Sequence, residues 1–316
     1  MAVVLITGCS SGIGLETALA FARRGDRVHA SMRNPAKADG LRERARAEGL
    51  GVEVLTLDVT DDTSVTTAVR TIEERHGAID VLVNNAGVYY TSAVEAASLE
   101  QARAVMETNY WGALRTIRAV LPAMRARGGG VIVNVSSLAA RIWAVPYGGF
   151  YTSSKAALGA ASEALSAEVQ PFGIRVVCVE PGAFASQIHE NAAKRESPGD
   201  DPYAADEAWL ARFLSRMGEG AGDGREAAEA IVAAAENPAT PLHTVIGKEA
   251  ETALEFTRGI SYEEWLPQFV RQAESMAGPR PSPRNPPTAR TEPTAASATR
   301  SATASASPSR GAEEAR

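Results

Sequence analysis

Short, predominantly apolar runs recur along the chain, at residues 3–6, 28–32, 52–57, 81–83, 131–135, 176–179 and 243–246. Between them lie stretches with apolar residues three and four apart, at 13–24, 36–48, 62–76, 99–127, 151–170 and 225–236. Continuous apolar runs suit strands buried on both faces, and the 3.6-residue period suits helices that cover them. The alternation predicts an α/β fold: a doubly wound parallel sheet of about seven strands flanked by helices on both faces, with right-handed crossovers. Two further helices, 249–258 and 262–276, close the body. From 181 to 224 the alternation breaks, with Phe184, Ile188, Tyr203, Trp209, Phe213 and Met217 set among polar residues. That stretch reads either as ordinary helices on the sheet edge or, over about 183–224, as a lid above a site. After residue 278 the composition turns to Pro, Ala, Ser, Thr and Arg with no apolar period. Residues 1–278 are therefore expected to form a single domain and 279–316 a disordered tail.

Composition narrows the class. Hydrophobic residues make up 45% and charged residues 22%, as in ordinary water-soluble domains. The net charge is −6, and the tail is net positive, so the body is more acidic than the whole. An acidic body argues against a nucleic-acid partner. Cys9 and Cys178 are the only cysteines, too few for a disulfide framework, and a reducing compartment is the default. No stretch has the length of a secretory or membrane-spanning segment, so no membrane partner and a cytoplasmic location are expected.

The chemistry concentrates in Tyr151-Thr152-Ser153-Ser154-Lys155, at the start of a predicted helix. Residues four apart share a helix face, so the Tyr151 phenol and the Lys155 ammonium stand together. A cation beside a phenol favours the phenolate and lowers its pKa, which would make Tyr151 a general acid/base for an alcohol oxygen. The chain holds 4 lysines against 28 arginines, so a lysine at 155 fits a need for a compact ammonium rather than a planar guanidinium. The four histidines, at 29, 76, 189 and 243, have no ligand spacing, so no metal is expected. Both cysteines are expected to pack beside strands.

At the other end, Thr7-Gly8-Cys9-Ser10-Ser11-Gly12-Ile13-Gly14 follows the first strand and opens the first helix. Glycines there admit a tight turn and let backbone approach a phosphate at a helix N-terminus. The second strand ends in Met32-Arg33, with no acid to bind a ribose 2′-hydroxyl. Arg33 can pair with a 2′-phosphate, and Ser10 can add a hydroxyl, so NADP(H) is expected over NAD(H).

The turn from Thr7 to Gly14, the Asn84-Asn85-Ala86-Gly87 segment and Tyr151-x-x-x-Lys155 together resemble the short-chain dehydrogenase/reductase family, over about residues 3–250. The wording of the turn and the Ser-Met-Arg-Asn strand end are similar to the NADP-preferring 17β-hydroxysteroid and retinol dehydrogenase subgroup. The resemblance implies a Rossmann sheet ordered 3-2-1-4-5-6-7 and hydride transfer between a nicotinamide and an alcohol or carbonyl carbon. It also implies that Asp58, followed by Val59, contacts adenine, and that Asn85, Ala86 and Gly87 line the adenine ribose. By the same resemblance Ser137 holds the substrate oxygen, with Ser136 its structural twin. Asn109 bends the long helix and supports a proton relay to Lys155, and Pro181, Gly182 and Ser186 clasp the nicotinamide. The gap from Ser137 to Tyr151 is 14 positions, one longer than the family's usual gap. The extra residue is expected in the loop carrying Arg141, Trp143, Pro146 and Tyr147, at the substrate mouth.

The expected activity is NADP(H)-dependent interconversion of an alcohol and a ketone or aldehyde. The aromatic and aliphatic residues of the lid (Phe184, Ile188, Trp209, Phe213) and the loop (Trp143, Tyr147, Phe150) point equally to an apolar steroid-, retinoid- or polyketide-like substrate and to simple core packing. A non-catalytic NADP(H)-sensing scaffold is one alternative; binding without turnover would favour it. A nucleotide-sugar epimerase or dehydratase is another, and net NADPH consumption separates it. By family analogy the subunits are expected to pair as a homodimer or homotetramer.

Overall fold

The computed structural model describes residues 1–184 and 201–281. The expected disordered tail beyond 281, and Ser186 and Ile188 of the expected lid, lie outside the described residues.

Seven strands form one parallel sheet: β1 (Val3–Thr7), β2 (Arg27–Met32), β3 (Val52–Thr56), β4 (Val81–Asn84), β5 (Gly130–Val135), β6 (Ile174–Pro181) and β7 (His243–Ile246). Their order across the sheet is β3-β2-β1-β4-β5-β6-β7. The order reverses between β1 and its two neighbours, and this switch point opens a crevice at the carboxyl ends of β1 and β4. Strands β1 and β4 are buried along their whole length, while the edge strands β3 and β7 are mostly half-buried. That is why the central runs are apolar throughout.

Ten helices are described: α1 (Gly12–Arg23), α2 (Asp39–Ala47), α3 (Asp62–His76), α4 (Leu99–Met106), α5 (Gly112–Arg127), α6 (Gly149–Val169), α7 (Ala204–Gly218), α8 (Gly224–Glu236), α9 (Lys248–Arg258) and α10 (Tyr262–Ala277). Strand alternation divides the core between the two faces. Val4 and Ile6 of β1 pack with Leu19 of α1 and Ile231 of α8. Val3 and Leu5 pack with Ile72 of α3 and Val120 of α5.

Two features depart from the periodicity. The stretch 99–127 is not one α-helix, because a single π turn, Glu107–Trp111, separates α4 from α5. The stretch 201–224, read as either edge helices or a lid, holds α7, whose Trp209 and Phe213 join Trp265 and Phe269 of α10 in a third, aromatic core. No helix among the described residues is long and apolar enough to cross a membrane.

Candidate active site

The glycine turn is held from below by β4. Asn85 donates from Nδ2 to the carbonyls of Thr7 (2.9 Å) and Gly8 (3.1 Å). The Thr7 hydroxyl in return accepts from the amides of Asn85 and Ala86. A Cβ on Gly8, whose φ is +74°, would stand 2.7 Å from the Ala86 Cα, and one on Gly14 would stand 2.3 Å from the Asn85 amide nitrogen. Both glycines are required by close backbone approach. Asn85 lines the crevice, and its side-chain amide is spent on the turn. Helix α1 begins at Gly12 with Ser11 as its N-cap; the Ser11 side chain makes no capping bond, and the first turn has no acid. Free amides and a positive helix end facing open space fit an anionic diphosphate.

Arg33 lines the same crevice, and so does Lys37, which sequence reasoning passed over. Lys37 sits in a single 3-10 turn, Pro35–Lys37, that Asn34 caps by accepting from the Ala36 amide. Its place in the crevice depends on that turn, and the only sequence signal was a lysine in an arginine-rich chain. Asp58 lines the crevice too and accepts from the amide and hydroxyl of Thr60. The capping of α3 falls to Asp61, which accepts from the Ser64 amide at 2.9 Å, so Asp58 is not needed there. Ser10, Ser11, Ile13, Val59, Ala86 and Gly87 line the crevice as well, with Pro181 and Gly182 at its far end.

Tyr151, Lys155 and Ser137 meet where β5 ends. Ser137 caps the short 3-10 turn Leu138–Ala140, and its hydroxyl acts on the Tyr151 phenol, working against the rise in its pKa. Ser136 is buried and donates to the Lys155 carbonyl at 2.9 Å, which is the structural part expected of it. Lys155 is 3% exposed and donates from Nζ to the Val135 carbonyl at 2.8 Å. Its ammonium lies 5.9 Å from the centre of the Tyr151 ring. Asn109 sits in the π turn, buried; its Oδ1 accepts from the Val88 amide (2.8 Å) and its Nδ2 donates to Val88 O (2.9 Å) and Ser154 Oγ (3.0 Å). A Cβ on Gly87 would stand 3.4 Å from both Asn109 Oδ1 and Lys155 Nζ, so Gly87 keeps these groups close.

One expectation is reversed. The Tyr151 phenol is pushed up, not down: burial dominates, and only the Ser137 hydroxyl works the other way. The ammonium that was to lower it is itself pushed down to about 8 by burial. Desolvation penalises both charged forms. The phenol is thereby kept protonated, as a proton donor requires.

The buried ammonium also costs stability. Below about pH 8 folded and unfolded chains both carry the proton, and the cost is full; between about 8 and the ordinary 10.5 only the unfolded chain keeps it, so stability rises with pH. Lys155→Met should therefore be more stable than the wild type at neutral pH, by at most ~3 kcal/mol. Its advantage should shrink in paired denaturant titrations as the pH passes 8. An advantage that stays constant up to pH 10 would contradict the buried charge.

The crevice continues past Tyr151 into one cleft of about 1830 Å³. Ligand pockets commonly run to roughly 1,000 Å³, so the cleft has room for a dinucleotide and a second molecule. Ile142, Val145, Leu210, Phe213 and Phe269 give the far part apolar walls, and Tyr147 and Phe184 also line the cleft. Three expected wall residues are elsewhere. Trp209 is core beneath α7, Trp143 is exposed against Tyr262, and Phe150 lies against Tyr90.

Behind the Ser137 loop, Glu180 is fully buried between Arg141 (3.1 Å) and His243 Nδ1 (2.7 Å), while His243 Nε2 meets Glu163 at 2.8 Å. Donor atoms of Cys178, Glu180 and His243 lie within 4.8 Å of one another, a proximity hidden by their sequence separation. The carboxylate and both ring nitrogens are engaged in this ion-pair chain, which is how a buried charge is held. Cys9 and Cys178 are buried and free.

Comparison with known proteins agrees with this geometry. A family model described as short chain dehydrogenase matches residues 2–197. A 3-ketodihydrosphingosine reductase from Bacteroides thetaiotaomicron is 35% identical over 274 residues, covering 85% of this chain and 95% of that protein. Retinol dehydrogenase 8 from Bos taurus is 41% identical over 208 residues, covering 63% and 65%. Among solved structures, a short-chain dehydrogenase from Streptomyces avermitilis superposes with a TM-score of 0.72 at 33% identity, covering 87% of this chain and 98% of that one. A gluconate 5-dehydrogenase from Burkholderia cenocepacia, in complex with NADP and tartrate, gives 0.65 at 28% identity, covering 80% and 96%.

Proposed function

The chain belongs to the short chain dehydrogenase family of oxidoreductases that use a nicotinamide nucleotide, and on that premise we propose that it is an NADP(H)-dependent carbonyl reductase acting on apolar substrates. The observation that carries this reading is the Tyr151 phenol, kept protonated by burial and standing with Ser137 at the wall of a cleft that begins at the glycine turn.

The nicotinamide, when bound, supplies the hydride that reduces the carbonyl carbon. Tyr151 donates its proton to the carbonyl oxygen, and the Ser137 hydroxyl orients that oxygen and stabilises the charge developing there. Lys155 keeps a cation under the phenol and returns a proton to it. Asn109 fixes the Val88 backbone and Ser154 beside this path. Gly8, Gly12 and Gly14 with the first turn of α1 hold the diphosphate, Asp58 the adenine, and Pro181 and Gly182 the amide end. Ser186 belongs with them by the family motif.

Arg33, Lys37 and the Ser10 hydroxyl line the end of the crevice where a 2′-phosphate would lie. A hydrogen bond to a charged group contributes about 1.5–3 kcal/mol, so Arg33→Ala should weaken NADPH binding ~10- to 100-fold and leave NADH nearly unchanged. Equal losses for both nucleotides in fluorescence titrations would remove the preference.

The apolar walls of the cleft at Ile142, Val145, Leu210, Phe213 and Phe269, with Glu207, Gln268 and Gln272 among its polar lining, suit a long hydrophobic carbonyl compound. The relatives named for 3-ketodihydrosphingosine and for retinol support the same class. The test is NADPH oxidation over 3-ketodihydrosphingosine, all-trans-retinal, steroid ketones and polyketide carbonyls, repeated with NADH. Nucleotide binding without oxidation of NADPH by any of them would favour a sensing scaffold. Two buried free thiols suit a reducing, cytoplasmic setting. Exposed Leu99, at the start of α4, and Trp111, in the π turn, suit pairing with a second copy of the chain.

A further inference from the structure

Tyr147 is the single described non-glycine residue with a left-handed backbone, at φ +63°. A bulky side chain there costs about 1–3 kcal/mol and persists only where its surroundings hold it. Two ties do so. Its carbonyl accepts from the Ser92 amide at 2.9 Å, and its hydroxyl donates to Asp206 Oδ2 at 2.5 Å. This residue lies in the lengthened stretch between Ser137 and Tyr151, and its ring lines the substrate part of the cleft.

Asp206 stands in the first turn of α7, the helix that walls the opposite side. Arg280, just beyond α10, grips the same carboxylate with two prongs, Nε to Oδ1 at 2.8 Å and Nη2 to Oδ2 at 2.7 Å. Its guanidinium lies 5.4 Å from the centre of the Trp209 ring, and Trp209 Nε1 donates to the Gly278 carbonyl at 2.8 Å. The Arg280 amide donates to Glu274 Oε1 at 3.2 Å. The segment after α10 is thus folded back on α7. One residue further along α7, Glu207 accepts from the Ala93 amide at 3.0 Å, beside the loop that holds Tyr147.

Exposed ion pairs contribute little, about 0–1 kcal/mol. This one differs: the Asp206 side chain is only 16% exposed, the pairing is bidentate, and an aromatic ring flanks the guanidinium. Asp206 and Arg280 lie outside the cleft lining, whereas Tyr147, Glu207 and Leu210 are part of it. The charged pair therefore acts on the cleft through other residues. We infer that Arg280, Asp206 and Tyr147 form a clasp that holds α7 and the Tyr147 loop together across the substrate mouth, with Arg280 as a positioning residue for substrate binding. Only the identity of the entering molecule rests on the carbonyl-reductase reading.

Hydrogen–deuterium exchange on the full chain with saturating NADPH tests the clasp without turnover. In Arg280→Ala, peptides covering 142–148 and 204–210 should exchange about tenfold faster, while β1, β4 and β5 keep wild-type protection. Arg280→Lys should fall between the two, and Tyr147→Phe added to Arg280→Ala should change little more, since both break one linkage. Faster exchange in 204–210 with residues 142–148 unchanged would overturn the clasp, leaving Arg280 as a local brace of α7; so would no change in either. With the best carbonyl from the NADPH screen, Arg280→Ala should raise KM roughly tenfold with kcat within about twofold. A fall in kcat at constant KM would also refute it. If no carbonyl is reduced, the catalytic reading fails while exchange still judges the clasp.

Discussion

Tyr151→Phe should lower kcat by about 10²–10⁴, the usual contribution of a placed general acid, and leave NADPH affinity near wild type. The substitution removes one oxygen and keeps the ring, whose edge-on contact with Tyr89 (centroids 4.7 Å apart) is apolar. The fold should survive, and the melting temperature serves as the control. Stopped-flow traces would separate the two roles of the site: nucleotide binding should be intact and hydride transfer slow. A variant that kept a tenth or more of the wild-type rate would show that the proton comes from elsewhere, with the Ser137 hydroxyl the next candidate. Because burial raises the phenol's pKa, reduction should persist through neutral pH, where the proton is still in place. As pH rises through about 8 the Lys155 ammonium is lost, and with it the group that restores the phenol proton, so turnover should decline there. A rate that climbed steadily above that pH would contradict this assignment.

Gly14→Ala should damage the nucleotide end as severely. The added methyl would sit 2.3 Å from Asn85 Nδ2 and 2.5 Å from the Gly8 carbonyl, and the carbonyl is backbone. Relief requires α1 to move away from the turn or Asn85 to release its two carbonyls. Overpacking of this kind costs about 1–3 kcal/mol, and each lost hydrogen bond about 1 kcal/mol more. The expected result is a fall in stability of a few kcal/mol and NADPH binding weakened by roughly 100-fold or more. Gly40→Ala is the matched control. It lies in α2 with nothing within 4 Å of the new methyl, so it should stabilise the chain by about 0.5–1 kcal/mol. Equal effects of the two substitutions would mean that the close approach of Gly14 to Asn85 has no functional weight.

Much of this protein is legible from neighbours along the chain. Whether a run of residues becomes strand or helix depends on a period of two or 3.6 and on the turns that bound it. Seven strands, most helices, the glycine turn and the shared face of Tyr151 and Lys155 could therefore be read before any coordinates. The exceptions have causes of a different kind. The π turn at Asn109 inserts one residue without disturbing the apolar pattern on either side. Helix α7 buries its aromatics against α10, some fifty residues on, rather than against the sheet, so its pattern lacks the expected partner.

Other properties depend on what the fold packs around a group. The rise in the Tyr151 pKa comes from apolar surroundings assembled from several distant segments, and spacing alone predicted the opposite sign. Asn85 reads as a turn residue until β1 lies beside β4 and its amide meets two carbonyls. Glu180 and His243 have no sequence relation, yet they share a buried ion-pair chain. Tyr147, Asp206 and Arg280 come from three separate stretches and meet at one carboxylate. Backbone conformation follows from short-range sterics and periodicity, which a linear string carries, while desolvation and long-range pairing depend on every segment that excludes water from the spot.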